Sequence, residues 1–217
     1  MSCALPGAVA YFVRDGELHS PNPLCATGHG TSASGCPVPC GLNIPHRKDA
    51  ILIDFCHIPV SIIKRSEGRS AVAAAAYRSG EKLTNEWDGM THDYTRKGGI
   101  VHAEIMLPDH APRSFADRSI LWNSVEQIEK ARDSQLAREI EAALPRELSG
   151  EQQLALVRGY VKDNFVDKGM CADFAIHDKG TGNPHAHIML TLRPLKENGQ
   201  WGAKCRKAYD LDENGQR

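Results

Sequence analysis

The stretch Ala175-Ile-His-Asp-Lys-Gly-Thr-Gly-Asn-Pro-His-Ala-His-Ile-Met-Leu-Thr191 brings His177, His185 and His187 into an eleven-residue window. The apolar run Met170 to Ile176 predicts a strand, Ile188 to Leu192 predicts a second, and Asp-Lys-Gly-Thr-Gly-Asn-Pro between them is turn chemistry. The segment therefore reads as a β-hairpin. Successive side chains of a strand alternate between its faces, so His185 and His187, two apart, share one face, and an antiparallel partner returns His177 beside them. Neutral imidazoles without crowding carboxylates or thiolates suit a divalent metal that keeps open positions for substrate and water. A lone strand histidine is more often an outward polar residue; three converging across a Gly/Pro turn are harder to produce by accident.

At 217 residues the chain has room for one ordinary domain plus a tail. No stretch resembles a membrane span, and the apolar start lacks a basic leader and is broken by Pro6 and Gly7, so a cytoplasmic protein without a signal peptide is expected. Seven cysteines, an odd number in a chain too long to need staples, predict reduced thiols. A formal net charge of −1 makes no overall case for nucleic acid. The distribution says more: Arg193, Lys196, Lys204, Arg206 and Lys207 surround Trp201 with Glu197 as the opposing acid, a mixture suited to a phosphate backbone and a stacked base.

Residues 1–50 are rich in Pro, Gly, Ser, Thr and Cys without a sustained period and are expected to form a low-order leader, separate from a domain at 51–217. Cys25, His29, Cys36, Cys40 and His46 match no standard zinc finger. From Ile51 to Ile63 the pattern predicts a first strand, with Pro59 favouring an edge or bulge. Ser70 is placed to cap a helix over Ala71-Val-Ala-Ala-Ala-Ala-Tyr-Arg-Ser79, and Gly80 to close it. Its alanines leave Tyr77 as the bulky residue near its end, either core packing or a phenol presented to a metal or phosphate. Ile100–Leu107 predicts a second strand with Val101, Ala103, Ile105 and Leu107 on one side and His102 and Glu104 on the other. Helical spacing follows over 115–134; Gln135–Leu144 reads as a strand ended by Pro145, and Ser149 opens a helix running to about Val166. The sum is an α+β domain, a mainly antiparallel sheet with helices on one face, and no dinucleotide-binding alternation.

A three-imidazole site beside a helical tyrosine suggests phosphoryl transfer, with the phenolate attacking phosphorus in line. A phenol of pKa ~10 needs a cation such as Arg78, a metal or a base to ionise. A neighbouring carboxylate could be that base or could orient a ligand imidazole. Spacing alone does not choose between the strand bearing Glu139 and Glu141 and that bearing His102 and Glu104.

Three motifs carry a resemblance: Gly68-Arg-Ser-Ala-Val-Ala-Ala-Ala-Ala-Tyr-Arg-Ser-Gly80, Glu139-Ile-Glu-Ala-Ala-Leu-Pro-Arg-Glu-Leu148, and His177 followed by Asn183-Pro-His-Ala-His187. In this order, over about residues 53 to 210, they resemble the MobA/MobL conjugative relaxases, HUH-type endonucleases of mobilisable plasmids. The resemblance implies a five-stranded antiparallel palm backed by helices. It implies Tyr77 as the nucleophile that nicks one strand at a plasmid transfer origin, keeps the 5′ end as a phosphotyrosine, and later rejoins it. It also implies Mg²⁺ or Mn²⁺ on His177, His185 and His187, Glu139 near them as base or ligand orienter, and Glu141 as a helper. Single-stranded or locally melted DNA would be held by basic residues including Arg65, Arg69, Arg78, Lys204, Arg206 and Lys207, with accessory mobilisation proteins as further partners. Relatives of this kind begin near the first strand and continue past the domain, so a C-terminally shortened relaxase domain is expected. The alternatives are an origin-binding remnant without catalysis, a rolling-circle replication initiator of the same chemistry, or a phosphohydrolase of small substrates in which Tyr77 is structural.

Overall fold

A computed structural model describes residues 12–14, 17–19, 59–180 and 183–204. The chain divides into two units, Met1–Asp54 and Phe55–Arg217. In the first, strands β1 (Phe12–Arg14) and β2 (Glu17–His19) pair antiparallel. The candidate zinc ligands of the leader lie outside the described residues, as do positions 51–58 of the expected first strand.

In the second unit, β3 (Val60–Lys64) follows Pro59, and a 3-10 turn leads to helix α1 (Ala71–Ser79). Ser70 Oγ accepts the Ala73 N–H, and Gly80 closes the helix at φ 72°, a left-handed conformation that disfavours any side chain. A hairpin of β4 (Lys82–Thr84) and β5 (Thr91–Asp93) comes next, then β6 (Ile100–Met106). Helix α2 (Arg118–Ile128) is shorter than the pattern over 115–134 suggested, because Asp117 caps its start and Phe115 sits in a preceding 3-10 turn. Strand β7 (Gln135–Ala143), helix α3 (Gly150–Asn164) with its Ser149–Gln152 capping box, β8 (Ala172–His177) and β9 (His185–Thr191) complete the fold.

The main sheet has the order β3-β7-β9-β8-β6, antiparallel throughout, with the histidine hairpin at its middle and β3 at an edge as Pro59 foreshadowed. The expectation of a five-stranded antiparallel α+β palm therefore holds, but the helices do not share one face. One cluster packs Val72, Ala75 and Ala76 of α1 and Leu121, Trp122 and Val125 of α2 against Ile63, Ala137 and Met189. A second packs Val157 and Val161 of α3 against Ile140, Phe174 and Ile188, the opposite face of the same strands. The cause lies in β7 to β9, the central strands, which are buried on both faces, Ile140, Phe174 and Ile188 on one and Ala137, Ala175 and Met189 with Asp173 on the other, so each face demands a cover. Burial of such a Leu, Ile, Val or Phe side chain is worth ~1.5–3 kcal/mol. Val101, expected to face inward, is 64 % exposed because a bulge between Ile100 and His102 turns it out.

On the α1/α2 face, Asp173 of β8 is buried yet fully engaged. It accepts from Arg118 Nε at 2.8 Å, Arg118 Nη2 at 2.9 Å and Trp122 Nε1 at 2.8 Å. That bidentate pair locks α2 onto the middle of the sheet. Among the described residues, no helix is long and apolar enough to cross a membrane.

Candidate metal centre and tyrosine site

Antiparallel pairing sets His177 opposite His185 and Ala175 opposite His187, so the three imidazoles leave the sheet on the α1 side at one end of the hairpin. Ring centroids are 4.6 Å apart for His177 and His187, 4.9 Å for His185 and His187, and 5.9 Å for His177 and His185. One nitrogen from each ring lies within 4.8 Å of the others.

Two rings have their outward nitrogens committed. His177 Nε2 lies 2.8 Å from the Arg78 carbonyl and His185 Nδ1 lies 2.9 Å from the Asn183 carbonyl. A carbonyl only accepts, so each of these nitrogens carries the proton, leaving Nδ1 of His177 and Nε2 of His185 with free lone pairs. The third ring shows the same design in looser form: His187 Nδ1 is buried without a hydrogen-bond partner, 3.7 Å from Glu139 Oε1 and 4.0 Å from Glu141 Oε2. A carboxylate behind a ligand imidazole fixes its tautomer and raises its basicity. Burial, aided by the charges of Lys97 and the other two histidines and opposed by the Arg78 carbonyl, pushes His177 down to about 4. It is therefore unprotonated at neutral pH. Three converging imidazole nitrogens, with the unpartnered His187 Nδ1 turned toward a carboxylate behind them, fit a divalent cation.

Glu139 sits between this centre and α1. It is 12 % exposed and receives Arg78 Nη2 on one oxygen and Arg69 Nη2, at 3.4 Å, on the other. Burial alone raises its pKa, but the His187 imidazole and the Arg78 guanidinium outweigh it and hold the carboxyl at about 2. Glu141, opposite His187 in the β7–β9 ladder, is more open. The pair the sequence left as the rival, His102 and Glu104, faces the other way: Glu104 bonds His102 and Arg158 of α3, on the second cluster's side.

Tyr77 stands one residue before the carbonyl that holds His177, in the last turn of α1. It is 48 % exposed, edge-on to Tyr94 at 5.2 Å, so it is not core packing. Lys97 Nζ lies 3.5 Å from its ring centroid and donates to its backbone carbonyl at 2.7 Å. Sequence reasoning missed Lys97 because it lies in a polar turn, Asp93 to Gly99, with no periodicity to mark it.

The expected DNA-contacting cations divide. Arg65 is tied into the fold: its side chain, 12 % exposed, bonds the Glu126 carboxylate and the carbonyls of Glu126, Glu129 and Ala131, and stacks on Trp87 at 4.0 Å. Those bonds occupy both of its terminal nitrogens. Lys204 is drawn to Glu129 at 3.0 Å, beside Arg193 on the same carboxylate. Arg78 is spent on Glu139 and the Ala74 carbonyl, Arg69 remains partly open, and Arg206 and Lys207 lie outside the described residues.

Comparison with known proteins places this arrangement. The family model "MobA/MobL family" matches residues 69–217. The chain is 48 % identical over 172 residues to the conjugal transfer protein TraA of Agrobacterium fabrum, covering 75 % of this chain and 15 % of that protein. It is 40 % identical over 181 residues to the mobilization protein MobL of Acidithiobacillus ferridurans, covering 72 % of this chain and 46 % of that protein. Among solved structures it resembles one described as the molecular basis of vancomycin resistance transfer in Staphylococcus aureus, with a TM-score of 0.66 and 34 % identity over 71 % of this chain and 78 % of that one. The chain thus spans a minor part of the length of its curated relatives. The matched segment holds the tyrosine helix, the histidine hairpin and four of the five strands of the palm, and the chain belongs to the MobA/MobL family of conjugal transfer and mobilisation relaxases.

Proposed function

We propose that this chain is a DNA strand-nicking and rejoining domain, acting at a plasmid transfer origin through a tyrosine nucleophile and a divalent metal held by His177, His185 and His187. The observation that carries this reading is a direct hydrogen bond between its two halves: the carbonyl of Arg78, next to Tyr77 on α1, fixes the His177 ring by its Nε2–H. A phenol and three lone-pair nitrogens are thereby held by one rigid connection.

In this mechanism Tyr77 Oη attacks the scissile phosphorus in line, an O–P bond forms, and the bond from phosphorus to the 3′ oxygen breaks. The phenolic proton passes to solvent, and the departing oxygen takes up a proton to become a 3′-hydroxyl. Because the phosphotyrosine conserves the ester, a 3′-hydroxyl can attack it and restore the strand. Mg²⁺ or Mn²⁺, when bound, supplies Lewis acidity toward a non-bridging phosphate oxygen. Glu139 orients His187 and, through Arg78, the end of α1; Glu141 is a secondary helper. Arg69, with Arg206 and Lys207 of the basic segment that follows, holds single-stranded or locally melted DNA by its phosphates. The setting is the cytoplasm of a plasmid-bearing cell, with accessory mobilisation proteins as further partners.

The test is a denaturing gel of the protein with labelled single-stranded oligonucleotides carrying candidate transfer origins, with Mn²⁺ or with EDTA. The expected result is a metal-dependent adduct that survives denaturant and is lost in Tyr77→Phe. Cleavage persisting in that variant would move the nucleophile elsewhere. Binding without an adduct, on an oligonucleotide that a longer relative cuts, would make the chain an origin-binding module.

A further inference from the structure

Lys97 reaches Tyr77 twice, and the two contacts have different chemistry. Its donation to the Tyr77 carbonyl, at 2.7 Å, serves a group that α1 cannot satisfy itself, since the helix ends at Ser79 and the N–H of Glu81 turns back to Ala76. Its ammonium also lies 3.5 Å from the Tyr77 ring centroid, over the negative face of the π system. Any donor could do the first; only a cation does the second.

The loop carrying Lys97 is held on every side. Asp93 Oδ1 accepts from Thr95 N and Oγ1, Tyr94 N donates to the Glu81 carbonyl, and Lys97 N donates to the Tyr94 carbonyl at 2.9 Å. At its far end Gly99, φ 81°, accepts from Asp178 N at 2.8 Å, and a side chain at Gly99 would meet Lys179 Cγ at 2.9 Å. Lys97 is thus clamped between α1 and the histidine hairpin. Other groups around the phenol are Tyr94, edge-on; Arg78, neutralised on Glu139; and, beyond Lys97, Lys179 and His177. Keeping an ammonium in this cationic neighbourhood is costly: burial, with Arg78 and Lys179 adding to it, pushes Lys97 down to about 8. Helix capping alone would be served by a neutral donor without that cost.

Resting on the proposed role of Tyr77, we infer that Lys97 is a positioning residue for that nucleophile: its ammonium holds the ring by one face while its bond to the Tyr77 carbonyl ties down the backbone beneath it. Because the ammonium sits above the ring rather than at the hydroxyl, Oη stays free to reach phosphorus.

The experiment compares wild type, Lys97→Gln, Lys97→Arg and Tyr77→Phe. The Tyr77 ring resonance of protein labelled with ¹³Cζ-tyrosine, assigned by its loss in Tyr77→Phe, is followed by NMR in EDTA between about pH 6.5 and 9; single-turnover nicking with Mn²⁺ is followed against pH in parallel. Glutamine keeps a donor for the carbonyl and removes the charge; arginine keeps the charge. Near neutral pH, Lys97→Gln is expected to move the Tyr77 resonance and to reduce nicking about three- to tenfold, both differences from wild type shrinking as pH rises through about 8, where Lys97 loses its charge. Lys97→Arg should stay within about twofold of wild type on the same scale. A Tyr77 resonance that is the same in Lys97→Gln and wild type near neutral pH, or an equal loss in Lys97→Arg, overturns the inference whatever the nicking gel gives. Adduct formation surviving in Tyr77→Phe overturns the nucleophile assignment instead, so the two failures are told apart.

Discussion

Glu139 is the residue on which the site's electrostatics turn, because it is bound by cations on the α1 side and faces His187 on the other. Its carboxyl is held at about 2, against an ordinary value of 4.5, so the folded state binds fewer protons than the unfolded chain between those values. Stability from this group is fully present above about pH 4.5 and is lost as pH falls through about 2, amounting to ~2–3 kcal/mol. Urea melts of wild type and Glu139→Gln between pH 2.5 and 6 should show a steeper fall in wild type, and parallel curves would remove the claim. At neutral pH, Glu139→Gln should also weaken Mn²⁺ binding ~10–100-fold in calorimetry, since a carboxylate behind His187 is replaced by an amide. The three histidines were legible in the sequence because strand alternation and a Gly/Pro turn are local signals. Lys97 and the partners of Arg65 were not: Lys97 lies 20 residues from Tyr77, and Glu126 lies 61 from Arg65, in segments whose own patterns say nothing of one another.

Helices α1 and α3 start with the same device on opposite faces of the sheet, which separates stability from function. Ser70 Oγ accepts Ala73 N at 3.2 Å and also Asn85 Nδ2 at 3.2 Å; Ser149 Oγ accepts Gln152 N at 3.3 Å in a full capping box. Replacing either serine by alanine should cost ~1 kcal/mol in urea unfolding. The nicking assay should then part them. Ser70→Ala loosens the helix that carries Tyr77 and the His177-bonding carbonyl, so its rate should fall severalfold, whereas Ser149→Ala should leave it unchanged. Equal rates would detach the α1 geometry from the chemistry. Caps, strands and the antiparallel class could be read from sequence because each is written in a few adjacent residues. The assignment of α3 to the second face could not, since an amphipathic helix advertises that it needs a partner but not which one. Val101 misled for a related reason: a bulge leaves the alternation intact on paper and breaks it in space.

For the whole molecule, a net charge of −1 means that the DNA affinity proposed for it must come from where its cations stand rather than from their number. Much of that charge is internal: Arg65 on Glu126, Arg118 on Asp173, and Arg193 with Lys204 on Glu129. These pairs bind the start of α1, the middle of the sheet and the segment after β9 into one body. Arg65→Gln should therefore act on the fold, leaving Glu126 and three carbonyls short of a donor and costing ~2–4 kcal/mol in urea unfolding. Its effect on the salt dependence of binding to a single-stranded origin oligonucleotide should be nil. Arg69, partly open and loosely paired at 3.4 Å, should behave in the reverse sense. In Arg69→Gln the slope of log K against log salt should become shallower by ~0.7, the value for one phosphate contact on a single strand, with little change in stability. If Arg65→Gln flattened the slope and Arg69→Gln did not, the DNA would run along the Arg65–Trp87 side of α1, and the division between cations that hold the protein and cations that hold its substrate would have to be redrawn.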